Sequence, residues 1–153
     1  MRVHLVRHAL AGSRDEWDGP DRERPLTGAG IRQAKVLAEQ LASAGARRIV
    51  TSPYARCLQT VQPLADALAI TVEHEPLLAE GSRPDPIATR LDRFGDGAVL
   101  CSHGDVLEAL IGYLAAGGAP VDPAVRFRKG AVWELGLEGS RVISGRYVPP
   151  PAP

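Results

Sequence analysis

The sequence predicts an α/β fold with three layers, in which a mostly parallel sheet carries helices on both faces. Short apolar segments that stop abruptly at polar residues occupy positions 3–6, 48–51 and 98–102, a pattern typical of buried strands. Stretches with apolar residues at helical spacing occur between and after these segments. Strands that alternate with helices form right-handed β-α-β units, and such units build a parallel sheet covered on both sides.

Length and composition indicate one globular domain. The chain has 153 residues, of which 44% are hydrophobic and 24% charged, and these values exclude disorder or a coiled coil for most of it. Its 18 basic and 18 acidic residues give a formal net charge of zero, so any anion site must be local and no nucleic-acid partner is expected. We place the domain at residues 1–148 and expect the Pro-rich tail, residues 149–153, to be disordered.

The first third of the chain contains a strand, a polar loop and a helix. After the strand at residues 3–6, the loop 11–25 is rich in Gly, Pro and charge and is too long for a tight connection. We therefore interpret it as a lid or a binding loop. Thr27 is placed to cap the helix that follows, and Gly45 is placed to end it.

The middle of the chain repeats this order of strand and helix. Residues 48–51 form the second strand, and Ser52-Pro53 leads into a helix. Pro63 lies inside the helical pattern, so we expect a kink or two shorter helices, because proline removes a backbone hydrogen bond and clashes with the preceding turn. Residues 70–74 are a third strand, and a loop separates them from a brief helix that opens at Asp85.

The last third adds a strand, a helix and a hairpin. Residues 98–102 form a buried strand, and the helix after it ends at Gly117-Gly118. Two alternating segments on either side of residues 138–140 then predict a β-hairpin. This hairpin should give the sheet antiparallel strands at one side.

Cysteine usage and hydropathy predict a cytoplasmic protein. Cys57 and Cys101 are too few for a disulfide framework, and we expect both to be reduced thiols in the core. The first residues lack a long apolar signal region, and no apolar stretch approaches the roughly 18 residues of a membrane span. No membrane partner is therefore expected, and the oligomeric state stays open.

Polar residues follow three of the predicted strands, at the point where each strand ends. Arg7 and His8 follow the first strand, residues 52–56 the second, and residues 102–104 the strand at 98–102. Because the carboxyl ends of parallel strands share one edge of a sheet, two arginines and two histidines can meet there. A single histidine at the end of a strand more often has a structural role than a catalytic one. It is the recurrence of such polar residues after three strands that indicates a site.

This set of residue types suits a phosphoryl group. The guanidinium of arginine matches phosphate oxygens, and helix N-termini after the strands add backbone N–H donors. A neutral imidazole nitrogen can attack phosphorus, and neighbouring arginines both keep the ring unprotonated and stabilise the charge that develops on the phosphoryl oxygens. The residues by themselves predict a phosphoryl site and no more than that.

Four segments resemble the histidine phosphatase superfamily, whose fold is phosphoglycerate-mutase-like. They are LVRHA, RPLTGAGIRQA, TSPYARCLQTV and CSHGDVL, and the resemblance extends over almost the whole chain. The compact size is similar to that of SixA-type phosphohistidine phosphatases. The first loop, together with RCLQTVQPLA, resembles the histidine phosphatase domain fused to Nudix hydrolases in actinobacteria. One departure is Ala9, which stands where the family usually has the glycine of its Arg-His-Gly signature.

The resemblance implies a phosphoric monoester hydrolase that needs no metal or other cofactor. It implies that His8 is the nucleophile and becomes a phosphohistidine, which water then hydrolyses. Arg7, Arg56 and His103 would form the phosphate pocket. Glu80 occupies the place of the carboxylate that protonates the leaving oxygen in many members, so it is the candidate general acid.

The predicted substrate is a small phosphorylated metabolite such as a nucleotide. Trp17 in the loop 11–25 can stack on a base, and Arg14 or Arg22 can meet a second phosphate. The simpler interpretation leaves these arginines solvated and packs Trp17 on its own loop. A protein phosphohistidine is the alternative substrate.

Three other functions remain open from the sequence. A metal-dependent hydrolase would use His8, His103, Asp105 and Glu80 as ligands, although Arg7 and Arg56 would repel a cation there. A module that only binds phosphate is possible because a fold does not fix a function. A mutase that moves phosphate between sugar hydroxyls would also use His8, but the chain is short for the enclosing loops of such enzymes.

Overall fold

A computed structural model describes residues 1–153 and contains one six-stranded sheet. The strands are β1 (Arg2–Arg7), β2 (Arg48–Thr51), β3 (Val72–His74), β4 (Ala98–Ser102), β5 (Val132–Glu138) and β6 (Arg141–Val148). Their order across the sheet is β3-β2-β4-β1-β5-β6. The first four strands pair in parallel, whereas β5 pairs antiparallel with β1 and with β6. The predicted parallel sheet with an antiparallel hairpin at one side is confirmed.

Four helices cover the two faces of the sheet. They are α1 (Gly28–Ser43), α2 (Ala55–Leu68), α3 (Asp85–Ala88) and α4 (Gly104–Ala116). One apolar cluster joins α1 and α2 to the face that carries Val99 and Cys101, and a second joins α3 and α4 to the face that carries Ala98 and Leu100. This division follows from the alternation of side chains along a strand, and it confirms the three-layer prediction.

Local signals in the sequence fix the bounds of α1. The Thr27 side chain accepts a hydrogen bond from the Gly30 backbone N–H at 3.1 Å, which caps the helix as predicted. Gly45, with a φ of +87°, follows the last turn and lets the chain reverse into β2.

Of the two alternatives predicted at Pro63, the structure contradicts the two shorter helices, and the kink stays a prediction. Helix α2 runs without a break from Ala55 to Leu68 and contains Pro63. The carbonyl that loses its backbone partner belongs to Gln59, four residues earlier. The helix continues past this position, and Gln59 itself is an exposed residue.

Three further segments differ in detail from the prediction. Strand β3 begins at Val72 instead of residue 70, because Ala69 adopts a left-handed conformation and the Ile70 N–H still bonds back to the Ala65 carbonyl. The loop after β3 begins with a 3₁₀ turn, Pro76–Leu78. The loop 11–25 contains two such turns, Arg14–Glu16 and Asp21–Glu23.

The tail after β6 forms neither helix nor strand. The Gln33 side-chain amide donates to the Pro151 carbonyl at 3.0 Å. The disorder expected for residues 149–153 stays a prediction. No helix in the chain combines the length and the apolar character that crossing a bilayer requires.

Candidate active site

The candidate site lies at the carboxyl ends of β1, β4 and β2, which are neighbours in the sheet. Arg7 of β1 lies opposite Ser102 of β4, and Thr51 of β2 lies opposite Cys101. The polar residues that follow these strands therefore meet at one edge and line a cavity of about 570 Å³, which we call the site cavity. The predicted site residues that line it are Arg7, His8, Arg14, Arg56, Glu80 and His103.

His8 is buried, and its ring is held in one protonation state. Its Nδ1 lies 2.8 Å from the Ala9 carbonyl oxygen. Because a carbonyl oxygen only accepts, Nδ1 carries the proton and Nε2 keeps its lone pair. Burial lowers the pKa of His8 to about 3, helped by the nearby His103, Arg56 and Arg7 and opposed by the hydrogen bond to the Ala9 carbonyl. The ring is therefore neutral at neutral pH, as a nucleophile requires.

Ala9 replaces the family's glycine without strain. It is fully buried, and its φ is negative, since Ala69 is the only non-glycine residue with a positive φ. Its backbone N–H donates to Thr60 Oγ1 at 3.0 Å, which ties the residue after His8 to α2.

His103 presents a second imidazole beside the first. The two ring centroids are 5.6 Å apart, and His103 is also buried. Its Nε2 lies 2.8 Å from Ser52 Oγ, which accepts a bond from the Tyr54 N–H. Because a hydroxyl can donate or accept, this bond holds the ring in place without fixing which nitrogen of His103 carries the proton.

Three buried side-chain nitrogens in the site have no hydrogen-bond partner within the protein. Five buried side-chain nitrogen or oxygen atoms in the whole chain lack a hydrogen-bond partner, and Arg7 Nε, Arg56 Nε and His103 Nδ1 are three of them. Buried polar groups without partners are rare and costly. Their concentration beside His8 fits a site that binds an anion.

Arg7 lies against the first turn of α4. Its Nη1 donates to the Phe127 carbonyl at 2.7 Å. A Cβ atom at Gly104 would lie 2.6 Å from Arg7 Cζ, so only glycine leaves room for the guanidinium at this position. Burial lowers the pKa of Arg7.

Arg56 is 1% exposed and is held by two acidic residues. Its Nη1 donates to the Asp21 carbonyl at 2.8 Å, and its Nη2 donates to Asp21 Oδ2 at 3.0 Å and to Glu80 Oε2 at 3.3 Å. Its guanidinium also lies over the Tyr54 ring, 4.9 Å from the centroid. These contacts fix the terminal nitrogens and leave Nε unpartnered in the site.

Glu80 reaches the site cavity from the loop after β3, as predicted. Its Oε1 accepts a hydrogen bond from Arg14 Nη2, so the loop 11–25 and the loop after β3 meet across the cavity. The next residue, Gly81, donates its backbone N–H to Asp105 Oδ2 at 2.8 Å. The loop that carries Glu80 is thereby attached to the start of α4.

Trp17 does not line the site cavity. Its Nε1 donates to the Pro20 carbonyl at 2.9 Å, and its ring lies against Gly19. It lines a smaller neighbouring cavity of about 210 Å³, which shares Gly12, Ser13 and Arg24 with the site cavity. The ring packs on its own loop, and its role in substrate binding stays a prediction.

Sequence reasoning missed three charged residues of the site, namely Asp21, Arg24 and Lys129. Asp21 belongs to the charged loop 11–25 and accepts hydrogen bonds from Arg24 and Arg56. Although burial opposes the change, these bonds lower the pKa of Asp21 to about 2. The spacing of Asp21 and Arg24 across one 3₁₀ turn was a local signal, whereas nothing local pointed to Lys129.

The side chains named for the metal alternative do not form a ligand set. No three His, Cys, Asp or Glu side chains are grouped so that they could hold a metal ion. The predicted thiols Cys57 and Cys101 are both free and buried, as expected.

Residues 3–85 match the model of the histidine phosphatase superfamily, branch 1. This chain belongs to that superfamily. Among curated relatives of this chain, the 8-oxo-(d)GTP phosphatase of Mycolicibacterium smegmatis is 35% identical over 155 residues, which cover 97% of the chain and 48% of the relative. The chain therefore spans about half the length of that protein.

Two solved structures share the fold of this chain. The protein histidine phosphatase SixA, complexed with tungstate, matches with a TM-score of 0.79 at 21% identity and covers 99% of this chain and 97% of its own. A mycobacterial glucosyl-3-phosphoglycerate phosphatase complexed with VO3 matches with a TM-score of 0.71 at 19% identity, over 95% and 96% of the two chains. These likenesses confirm the predicted phosphoglycerate-mutase-like fold.

Proposed function

We propose that this protein is a phosphatase that works through a covalent phosphohistidine on His8. The observation that carries the proposal is the state of His8. Its Nδ1 is bonded to the Ala9 carbonyl, its pKa is about 3, and it lies in a cavity with unpartnered side-chain nitrogens of Arg7, Arg56 and His103. A neutral nucleophile and an anion-binding group of donors therefore lie side by side.

The first chemical step transfers the phosphoryl group to the protein. His8 Nε2 forms a bond to phosphorus while the bond from phosphorus to the leaving oxygen breaks. Arg7, Arg56 and His103 donate to the phosphoryl oxygens, and Glu80 in its protonated form gives its proton to the leaving oxygen. The ring then carries a positive charge, which the bond from Nδ1–H to the Ala9 carbonyl stabilises.

The second step returns His8 to its starting state. A water molecule attacks phosphorus, the N–P bond breaks, and inorganic phosphate leaves. The Glu80 carboxylate accepts a proton from the attacking water, so it is protonated again for the next cycle. No other reactant is needed for the atoms and charges to balance.

The substrate that we propose is a small phosphorylated metabolite, with a nucleotide favoured. Five basic side chains line the site cavity, namely Arg7, Arg14, Arg24, Arg56 and Lys129. Two carboxylates, Glu80 and Asp105, line it with them, and Asp21 pairs with Arg14, Arg24 and Arg56 from outside the lining, so the basic side chains exceed the acidic ones by two. This excess of positive charge suits a substrate with more than one negative group. The M. smegmatis relative is an 8-oxo-(d)GTP phosphatase, which supports a nucleotide.

Phosphate release from a panel of substrates tests this proposal. The panel contains nucleotides, sugar phosphates and a carrier protein that bears phosphohistidine, each with and without EDTA. We expect turnover that survives EDTA and a phosphoryl group that can be trapped on the wild-type protein in an acid-labile form. His8→Ala should abolish both, whereas His74→Ala, which changes an exposed histidine at the end of β3, should not.

Two results would count against parts of the proposal. Substantial turnover by a folded His8→Ala variant would exclude the covalent mechanism. A SixA-like function uses the same chemistry. If phosphate is released much faster from the carrier protein than from any nucleotide, the proposed nucleotide substrate is wrong, but the proposed mechanism still holds.

A further inference from the structure

A second cavity, of about 470 Å³, adjoins the site cavity and shares Arg7 and Lys129 with it. We call this second cavity the basic cleft. Its other lining residues are Leu10, Gln33, Arg126, Arg128 and the tail residues 150–153. No Asp or Glu side chain lines the basic cleft, and Arg126, Arg128 and Lys129 form no salt bridge. None of its four cationic side chains is therefore paired with a carboxylate in a salt bridge.

The segment that carries these charges is attached to the nucleophile. The Gly130 N–H donates to the His8 carbonyl at 3.0 Å and to the Arg7 carbonyl at 3.1 Å, and Arg7 Nη1 donates to the Phe127 carbonyl. Phe127 is buried in the core, whereas Arg126 and Arg128 on either side of it are exposed. The basic cleft thus has a fixed position relative to His8.

Like charges crowd together at the junction of the two cavities. Burial lowers the pKa of Lys129, and the charges of Arg7, Arg24, Arg56 and Arg126 lower it further. Repulsion of this kind destabilises the folded chain unless an anion offsets it. Such an arrangement is typical of a site whose ligand supplies the missing negative charge.

We propose that the basic cleft binds a second phosphoryl group of the substrate while the first lies beside His8. The proposal rests on the proposed phosphatase function and narrows its substrate to molecules with two phosphoryl groups, such as a nucleoside diphosphate. Arg7 lies between the two positions because it lines both cavities. Arg126, Arg128 and Lys129 then act as residues that determine specificity.

The kinetic test compares GDP with p-nitrophenyl phosphate, which has a single phosphoryl group. In the double variant Arg126→Gln/Arg128→Gln we expect kcat/KM for GDP, relative to that for p-nitrophenyl phosphate, to fall by about 10-fold or more, since two charge-assisted hydrogen bonds are lost. Arg90→Gln/Arg93→Gln is the matched control, because it removes two exposed arginines that do not line either cavity. An unchanged ratio in the cleft variant would overturn the proposal.

A binding test separates this proposal from the phosphatase function itself. In the His8→Ala background, which turns nothing over by the proposed mechanism, pyrophosphate should bind more tightly than inorganic phosphate. Adding Arg126→Gln/Arg128→Gln should remove that difference. If the His8→Ala variant binds pyrophosphate and inorganic phosphate equally well, the proposed second phosphoryl site in the basic cleft is wrong, whatever the substrate panel shows. Lack of turnover with every substrate would contradict the phosphatase function alone.

Discussion

His8 shows how burial and one hydrogen bond prepare a nucleophile. An exposed histidine with an ordinary pKa near 6.5 would be partly protonated near neutral pH and would then have no lone pair to offer. In this protein burial keeps the ring neutral, and the Ala9 carbonyl selects the tautomer that leaves Nε2 free. The backbone next to the nucleophile therefore does part of the work that a carboxylate does in other catalytic sites.

This low pKa predicts a pH dependence of stability. Because the pKa of His8 is about 3 in the folded chain and about 6.5 in the unfolded chain, the unfolded state binds more protons between these values. The free energy of unfolding must therefore fall as the pH falls through this window. In urea denaturation between pH 7 and pH 4, the free energy of unfolding of wild type should fall by up to about 3 kcal/mol more than that of His8→Asn. If the free energies of unfolding of the two proteins fall equally with pH, folding does not lower the pKa of His8.

Glu80 can be tested through the leaving group. Glu80→Gln should slow the hydrolysis of esters and anhydrides by roughly 10²- to 10⁴-fold, the contribution of a general acid, and should hardly affect p-nitrophenyl phosphate. Steady-state kinetics on a nucleotide and on p-nitrophenyl phosphate give the comparison. Glu39→Gln, on the exposed side of α1, is the control. Equal slowing of both substrates would make Glu80 a binding residue, in keeping with its bonds to Arg14 and Arg56.

At the scale of elements, the position of the Arg7 side chain depends on a glycine at the start of α4. Gly104→Ala would place a methyl group 2.6 Å from Arg7 Cζ and displace the guanidinium. We expect kcat to fall by about 10²- to 10³-fold, the effect of losing one donor to a developing charge. Gly112→Ala lies on the same helix with nothing within 4 Å of the new Cβ. This control should keep its activity and gain about 0.5–1 kcal/mol of stability from helix propensity.

The loop 11–25 contributes a carboxylate that positions an arginine. Asp21 accepts hydrogen bonds from Arg56 and from Arg24, which is 6% exposed. Asp21→Asn replaces one of the acceptor oxygens by an amide and should lower kcat/KM by roughly 10-fold, since charge-assisted bonds hold Arg56 in place. Asp18→Asn in the same loop is the control, because Asp18 is exposed and makes no salt bridge. Equal kinetics for the two variants would show that the loop does not position Arg56.

At the scale of the whole molecule, the order of the strands creates the site. β1 and β4 are about 90 residues apart in sequence, yet they lie side by side with β2 next to β4. Their shared edge gathers residues that follow three separate strands. The antiparallel β5 then brings residues 126–130 against the other side of β1, so the basic cleft forms beside the same edge.

The sequence determined the strands, the main helices and the central group of site residues. Periodicity, the Thr27 cap and abrupt polar ends are properties of a few consecutive residues, so they can be recognised without the fold. The rule that parallel strands share one edge then brought His8, Arg56 and His103 together correctly. Recognition of the family added Glu80, which does line the site cavity.

Only the tertiary structure decided which loop residues join that group. Asp21 and Arg56 are separated by 35 residues, and Lys129 lies far along the chain from His8. Trp17 looked available for a base, but its ring is bonded within its own loop. The physical reason is that a loop's contacts depend on how distant elements pack around it. A local pattern of alternating charges has the same appearance whether it faces water or a buried arginine.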